Sequence, residues 1–239
     1  MAEPGPTGPQ RPILVIGNKL YSSWSMRPWL LLRGLGIAFD EVLLPMRTDI
    51  FAAELPRYSP AGKVPVLVDG DVAVWDSLAI AEYAAERWPE AGVWPASRHA
   101  RATARAVSAE MHSGFTALRA ACPMNLGKRF APADRGEKVA ADVARILGIF
   151  RDARARFGGG GPFLFGAFSA ADAMFAPVLT RFETYAIPLD PVSAAYSEAV
   201  LGLPAYRDWL EAALAEPWTM PGNEGENPVR DLRAAPAGP

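Results

Sequence analysis

The chain has 239 residues, half of them apolar and 21% charged, and 24 Lys and Arg against 26 Asp and Glu leave a net charge of −2. That balance describes a folded globular protein of one large or two modest domains, and the lack of a basic surplus argues against nucleic acid as a partner. The longest uncharged run, 157–171, is broken by glycines and is shorter than the roughly 18–20 apolar residues of a bilayer span. The start, 1–10, lacks the features of a secretory signal, and Cys122 with His99 and His112 leaves no disulfide, no redox pair and too few ligands for zinc, as in a metal-free cytoplasmic protein.

A Pro/Gly-rich tail, 1–12, leads into Ile13-Leu14-Val15-Ile16, a continuous aliphatic run between Pro12 and Gly17 that reads as a buried strand. Residues 26–35 carry Trp29, Leu30, Leu32 and Leu35 at helical spacing, with Pro28 near the start and Gly34 and Gly36 at the close. A second strand over 39–44 gives β-α-β, and an irregular connector with a short helical stretch over 48–55 follows. Pro65 to Val68 and Val72 to Trp75 flank Asp69-Gly70, a hairpin signal, and Asp76 and Ser77 then open an amphipathic helix that runs to Trp88.

The Pro, Gly and Ala of 89–97 mark a linker, dividing a first domain, 13–88, from a second, 98–218, that reads as wholly helical, with a loose tail over 219–239. In the second domain 98–119 and 134–157 have helical periodicity, and Gly158 to Pro162 reads as a flexible loop. Ser169-Ala170-Ala171-Asp172 forms a capping box before another helix, and helical pieces over 191–201 and 204–215 complete it.

A β-α-β unit followed by β-β-α, with proline at the entry of the third strand, is a thioredoxin-like pattern. Four motifs make the resemblance specific: Tyr21-Ser22-Ser23-Trp24-Ser25-Met26-Arg27, Gly62-Lys63-Val64-Pro65, Asp76-Ser77-Leu78-Ala79-Ile80 and Phe168-Ser169-Ala170-Ala171-Asp172. In this order and spacing they resemble the cytosolic glutathione transferases, over nearly the whole stretch from 13 to 218. The first motif is closest to the serine-type classes, including the zeta class that contains maleylacetoacetate isomerases. The chain departs from zeta at Trp24, where those proteins usually carry cysteine, which bears directly on isomerase activity. The stretch Glu110 to Phe115 is similar to bacterial transferase homologues.

The resemblance implies an enzyme of detoxification that uses glutathione as co-substrate, without metal or organic cofactor, acts on a small hydrophobic electrophile, and works as a homodimer away from membranes. Its rivals are a cis-trans isomerase of the maleylacetoacetate type and a non-catalytic member that binds glutathione or a protein. Free thiols ionise near ~8.5–9, so a hydroxyl donor and a helix N-terminus at the sulfur favour the thiolate. Ser22 is the first choice for that donor and Ser23 the second, both also being natural helix caps. The resemblance implies that Lys63, Val64 and Pro65, with a cis Val64–Pro65 bond, receive the peptide by main-chain pairing, Lys63 meeting the glycine carboxylate or else standing as a solvated surface cation. Asp76 and Ser77 would take the γ-glutamyl end, or simply cap their helix. Asp76 stands where the family more often has Glu or Gln. Trp24, Met111, His112 and Phe115 are candidates for the electrophile pocket, although a Met/Phe pair one turn apart also suits a helix core. Arg27 is expected to order the turn or the domain interface, and Cys122 to be inert.

Overall fold

The computed structural model describes residues 11–233. The first domain contains β1 (Ile13–Ile16), α1 (Ser23–Gly34), β2 (Asp40–Leu43), α2 (Asp49–Glu54), β3 (Val66–Asp69), β4 (Val72–Val74) and α3 (Ser77–Arg87). The strands form one mixed sheet in the order β2-β1-β3-β4; β1 pairs parallel with β2 and antiparallel with β3, and β3 antiparallel with β4. A parallel pair needs a crossover, which α1 supplies, and an antiparallel pair needs only a tight turn, here Gly70-Asp71 with Gly70 at φ +63°.

β1 has no polar face because both of its sides are covered. Leu14 and Ile16 join Met26 and Leu30 of α1 and Ile80 of α3, while Val15 turns the other way to meet Leu44, Leu55 and Val66. This two-sided burial is why the strand reads as an unbroken aliphatic run.

The second domain holds α4 (Arg98–Ser113), α5 (Thr116–Ala121), β5 (Lys128–Arg129), α6 (Glu137–Phe157), α7 (Ala170–Thr184), α8 (Pro191–Leu201), α9 (Pro204–Leu214) and β6 (Arg230–Asp231). Its axis is α7, buried almost all round and packed on α1 of the first domain and on α4. The capping box of α7 forms as its sequence requires: Asp172 Oδ2 accepts from the Ser169 N–H at 2.9 Å and the Ser169 hydroxyl at 3.0 Å, and Oδ1 accepts from the Leu164 N–H at 3.0 Å. Val93, in the segment joining the domains, is buried, and its carbonyl accepts from the Ala170 N–H at 2.9 Å.

Several expectations need correction. α1 begins at Ser23, one turn before the predicted start, because Ser22 caps it, and Pro28 therefore lies inside the helix and leaves the Trp24 carbonyl without its usual amide. The segment over 98–119 is two helices. α4 stops at Ser113, and Phe115, at φ +57°, turns the chain into α5. The glycine loop is a 3-10 turn, Gly158–Gly160, held by Arg154 Nη1, which donates to the carbonyls of Gly158, Gly161 and Phe163. The stretch expected to be loose after 218 is ordered to 233: β6 pairs with β5, and Tyr21 OH donates to Glu224. The rest of the two tails, 1–10 and 234–239, lies outside the described residues.

Candidate active site

The turn between β1 and α1 delivers the serine cluster. Ser22 occupies the N-cap position, where its Oγ accepts from the Ser25 N–H at 3.2 Å and lies 2.8 Å from Ser25 Oγ, which in turn accepts from the Gly17 N–H at 3.0 Å. Ser23 Oγ accepts from Arg181 Nη2 at 3.3 Å. Both candidate hydroxyls are buried and engaged.

Beside this turn, where the domains meet, is a cavity of about 400 Å³. Ala61, Lys63, Val64 and Pro65 form one wall, Trp75 and Asp76 a second, and Trp24 and His112 a third. The Val64–Pro65 bond is cis, as the motif implied, and so is Trp75–Asp76. Ser59 pins the Lys63 loop: its Oγ donates to the Lys63 carbonyl at 2.8 Å and accepts from the Lys63 N–H at 3.2 Å. The Lys63 ammonium forms no ion pair among the described residues.

At the mouth of α3, Asp76 Oδ1 accepts from the N–H groups of Leu78 at 3.0 Å and Ala79 at 3.4 Å. The N–H groups of Leu78 and Ala79 are thus taken by the aspartate itself, the capping role that the sequence left open to Asp76. Ser77 is different: its hydroxyl is buried and has no hydrogen-bond partner among the described residues. A buried unpaired hydroxyl costs on the order of 1–3 kcal/mol, so an arriving acceptor relieves a real penalty. Asp76 Oδ2 faces His112 Nε2 at 3.1 Å, an interdomain contact.

Trp24 separates the cavity from a cluster of arginines. Arg27 Cζ lies 4.2 Å from its ring centroid and Arg119 Cζ 4.7 Å, and His112 meets it edge-on at 5.2 Å. Arg27 is 1% exposed; its Nε donates to the Met174 carbonyl at 3.2 Å, and its two terminal nitrogens have no hydrogen-bond partner. Burial, reinforced by Arg119 and Arg181, pushes its guanidinium well below the ordinary range, and burial pushes Arg181 down to about 10. The π face of Trp24 is what Arg27 receives in place of water.

Of the residues read from sequence, the cavity therefore gathers Trp24, Lys63, Val64, Pro65, Asp76 and His112, with Ser77 beside them. It does not gather Met111 and Phe115. Met111 points into the core at 0% exposure, and because α4 ends between them, Phe115 shares no helix face with it and is buried elsewhere in the same core. Neither Ser22 nor Ser23 lines the cavity wall. Cys122 is buried, and that burial pushes its thiol up, as expected of an inert cysteine. Sequence reasoning missed Ala61 and Trp75, which adjoin the recognised motifs, and Arg119 and Arg181, which carry no local signal. Among the described residues no three His, Cys, Asp or Glu side chains group as metal ligands, and no helix is long and apolar enough to cross a membrane.

Two family models match the chain: the glutathione S-transferase N-terminal domain over residues 21–87 and the glutathione S-transferase C-terminal domain over residues 133–212. Together they take in more than half of the sequence. The chain belongs to the glutathione S-transferase family. Over 90 residues it is 40% identical to glutathione S-transferase Z1 of Arabidopsis thaliana, covering 35% of this chain and 40% of that one. Over 60 residues it is 42% identical to the dichloromethane dehalogenase of Methylorubrum extorquens, covering 24% and 21%. The matches thus span less than half the length of these relatives. Among solved structures, a glutathione transferase homologue from Burkholderia gl BGR1 with bound glutathione superposes with a TM-score of 0.64 at 25% identity, over 86% of this chain and 99% of that one. Both family domains are in place, and the thioredoxin-like first domain followed by a helical second is the family fold; the second is not wholly helical as expected, since β5 and β6 add one short antiparallel pair.

Proposed function

We propose that the chain is a glutathione transferase that adds the thiolate of glutathione to a small electrophile. The carrying observation is the interdomain cavity, whose lining brings together Lys63, Val64, Pro65 and Asp76, with Ser77, whose buried hydroxyl has no partner among the described residues, next in the chain. An extended tripeptide with a carboxylate at each end fits that distribution: Lys63 meets the glycine carboxylate, Val64 pairs with the cysteinyl main chain, and Ser77 donates to the γ-glutamyl carboxylate while Asp76 accepts from its ammonium. The relatives and the glutathione-bound homologue support this reading.

In this reading Ser22 stabilises the thiolate. Its hydroxyl hydrogen turns from Ser25 Oγ toward the sulfur, a rotation about one bond, while its lone pair continues to cap the helix. The N-terminus of α1 adds its positive end. The thiol proton leaves to solvent and a sulfur lone pair forms the new bond to carbon; the displaced electron pair departs with the leaving group as its anion or, in an addition, stays on the product and takes a proton from solvent. Trp24 and His112 form the side of the site that receives the electrophile. The working unit is a homodimer in the cytoplasm, supported by the family resemblance alone.

The burial of both serines away from the cavity wall favours a second reading, a member that binds glutathione without turnover. An isomerase of the maleylacetoacetate type finds support in the serine motif and the zeta-class relative, but Trp24 fills the place of the usual cysteine. Steady-state kinetics with a panel of chloronitroarenes and a cis-diacid separates the three. Ser22→Ala is expected to lower conjugation at least about tenfold and Ser23→Ala less. The reverse order transfers the role to Ser23, and glutathione binding without turnover of any substrate establishes the binding protein.

A further inference from the structure

The segment carrying Ser22 is held from outside its own domain. Lys19 N–H donates to Glu216 Oε1 at 2.6 Å and Leu20 N–H to Glu216 Oε2 at 3.3 Å. The Lys19 carbonyl accepts from Trp209 Nε1 at 3.1 Å and the Leu20 carbonyl from the Leu126 N–H at 3.2 Å. All four backbone groups of these two residues are thus bonded to the helical domain or to the strand of chain after it. One residue on, Tyr21 OH donates to Glu224, and Arg233 Nη2 donates to the Glu216 carbonyl at 2.6 Å.

Glu216 is 7% exposed and 197 residues from Lys19 in sequence. It lies well outside the cavity, so the chemistry proposed above makes no use of it. An exposed loop would leave its amides to water, whereas a buried carboxylate spanning two consecutive amides fixes both peptide planes with charge-assisted bonds. Those planes determine where the chain enters the bonds from the N–H groups of Tyr21, at 3.3 Å, and Ser22, at 2.8 Å, to the Asn18 carbonyl, and so where the Ser22 hydroxyl stands.

We infer that Glu216 is a positioning residue for thiol activation, its carboxylate clamping the Lys19-Leu20 turn so that Ser22 is held at the N-terminus of α1. The inference rests on the reading of Ser22 given above. Glu216→Gln keeps the shape but replaces one accepting oxygen with a donor, so one of the two amides loses its partner. Glu216→Asp keeps the charge on a shorter arm.

The test uses the full chain and two readouts. Without ligand, amide hydrogen exchange over 17–25 is expected to speed up about tenfold or more in E216Q while exchange in α7 holds. With glutathione bound, the ultraviolet absorbance of the thiolate, followed against pH, is expected to show the thiol titrating about one unit higher, a tenfold smaller thiolate fraction at a given pH below it. The glutathione Kd is expected to stay within about twofold, since the residues that hold the peptide are untouched. E216D is expected to recover part of both effects. Unchanged exchange over 17–25 overturns the inference, as does faster exchange with the thiol titration unmoved, the signature of a merely structural contact. If the native chain binds glutathione but never shows thiolate, the reading of Ser22 fails, and the exchange comparison alone then decides whether Glu216 holds the turn. Should E216Q not fold, E216D, which keeps the charge on a shorter arm, takes its place, and the same pair of readouts decides.

Discussion

At the scale of single residues, Trp24 carries the heaviest load. Its ring is the partner of two guanidinium groups, one wholly buried and without hydrogen bonds at its terminal nitrogens, and it also forms a wall of the cavity. Trp24→Ala removes both π faces and opens the arginine cluster, and a loss of about 2–4 kcal/mol in unfolding free energy is expected in urea titration. Trp75→Ala, at a cavity side chain 46% exposed, is expected to cost less than about 1 kcal/mol. Equal losses would show that the stacking on Arg27 contributes nothing. Lys63 should behave differently again. Its loop is pinned through main-chain bonds to Ser59, so Lys63→Met leaves the fold alone, and if the ammonium meets the glycine carboxylate the KM for glutathione rises several-fold with kcat preserved. A fall in kcat with KM fixed would remove it from the binding role.

At the scale of elements, α7 and its cap show most clearly what local sequence determines. Asp172 is fully buried, and burial pushes its carboxyl up to about 6 although three hydrogen bonds favour the charged form. Its folded pKa is above the ordinary 3.8, so between about 4 and about 6 the native state binds more protons than the unfolded one, and this group's contribution to stability falls as pH rises through that window. Urea midpoints across the window should show the decline, and Asp172→Asn should flatten it while lowering stability throughout by roughly 1 kcal/mol for the weakened cap. A slope unchanged by the substitution would place the titration elsewhere. The capping box, the Asp69-Gly70 hairpin, the Asp76 cap of α3 and the proline before β3 were legible in the sequence because each is completed within a few residues. The break between α4 and α5 was not, since only Gly114 marks it and the left-handed Phe115 is stabilised by packing. The core placement of Met111 and Phe115 was one of two readings the sequence left open, because which face of a helix is covered depends on α7, some sixty residues further on in this chain. Glu216 had no local signal at all: its partners are two backbone amides near the other end of the sequence.

At the scale of the whole molecule, the cavity belongs to both domains. Its walls come from α1, the loop before β3 and the mouth of α3 on one side, and from His112 of α4 on the other, with the 3.1 Å contact between His112 and Asp76 crossing the junction. A ligand seated there binds the native chain and not the unfolded one, so it stabilises the native state by mass action, by about 2.7 kcal/mol at a hundredfold excess over Kd. For a chain of this size that corresponds to a rise in Tm of roughly 5–10 °C. S-methylglutathione should raise Tm about as much as glutathione, because the contacts proposed to hold the peptide lie at Lys63, Val64, Asp76 and Ser77 and none of them needs a free thiol. Asp76→Ala removes both the acceptor for the γ-glutamyl ammonium and the contact to His112, and should abolish most of the shift. Ser22→Ala should keep most of it while lowering turnover, since the proposed reading gives the holding of the peptide and the activation of its sulfur to different parts of the chain. If Asp76→Ala retains the full shift, glutathione does not lie against α3. If Ser22→Ala loses the shift together with turnover, the serine is part of the binding site and not a separate device for the thiol.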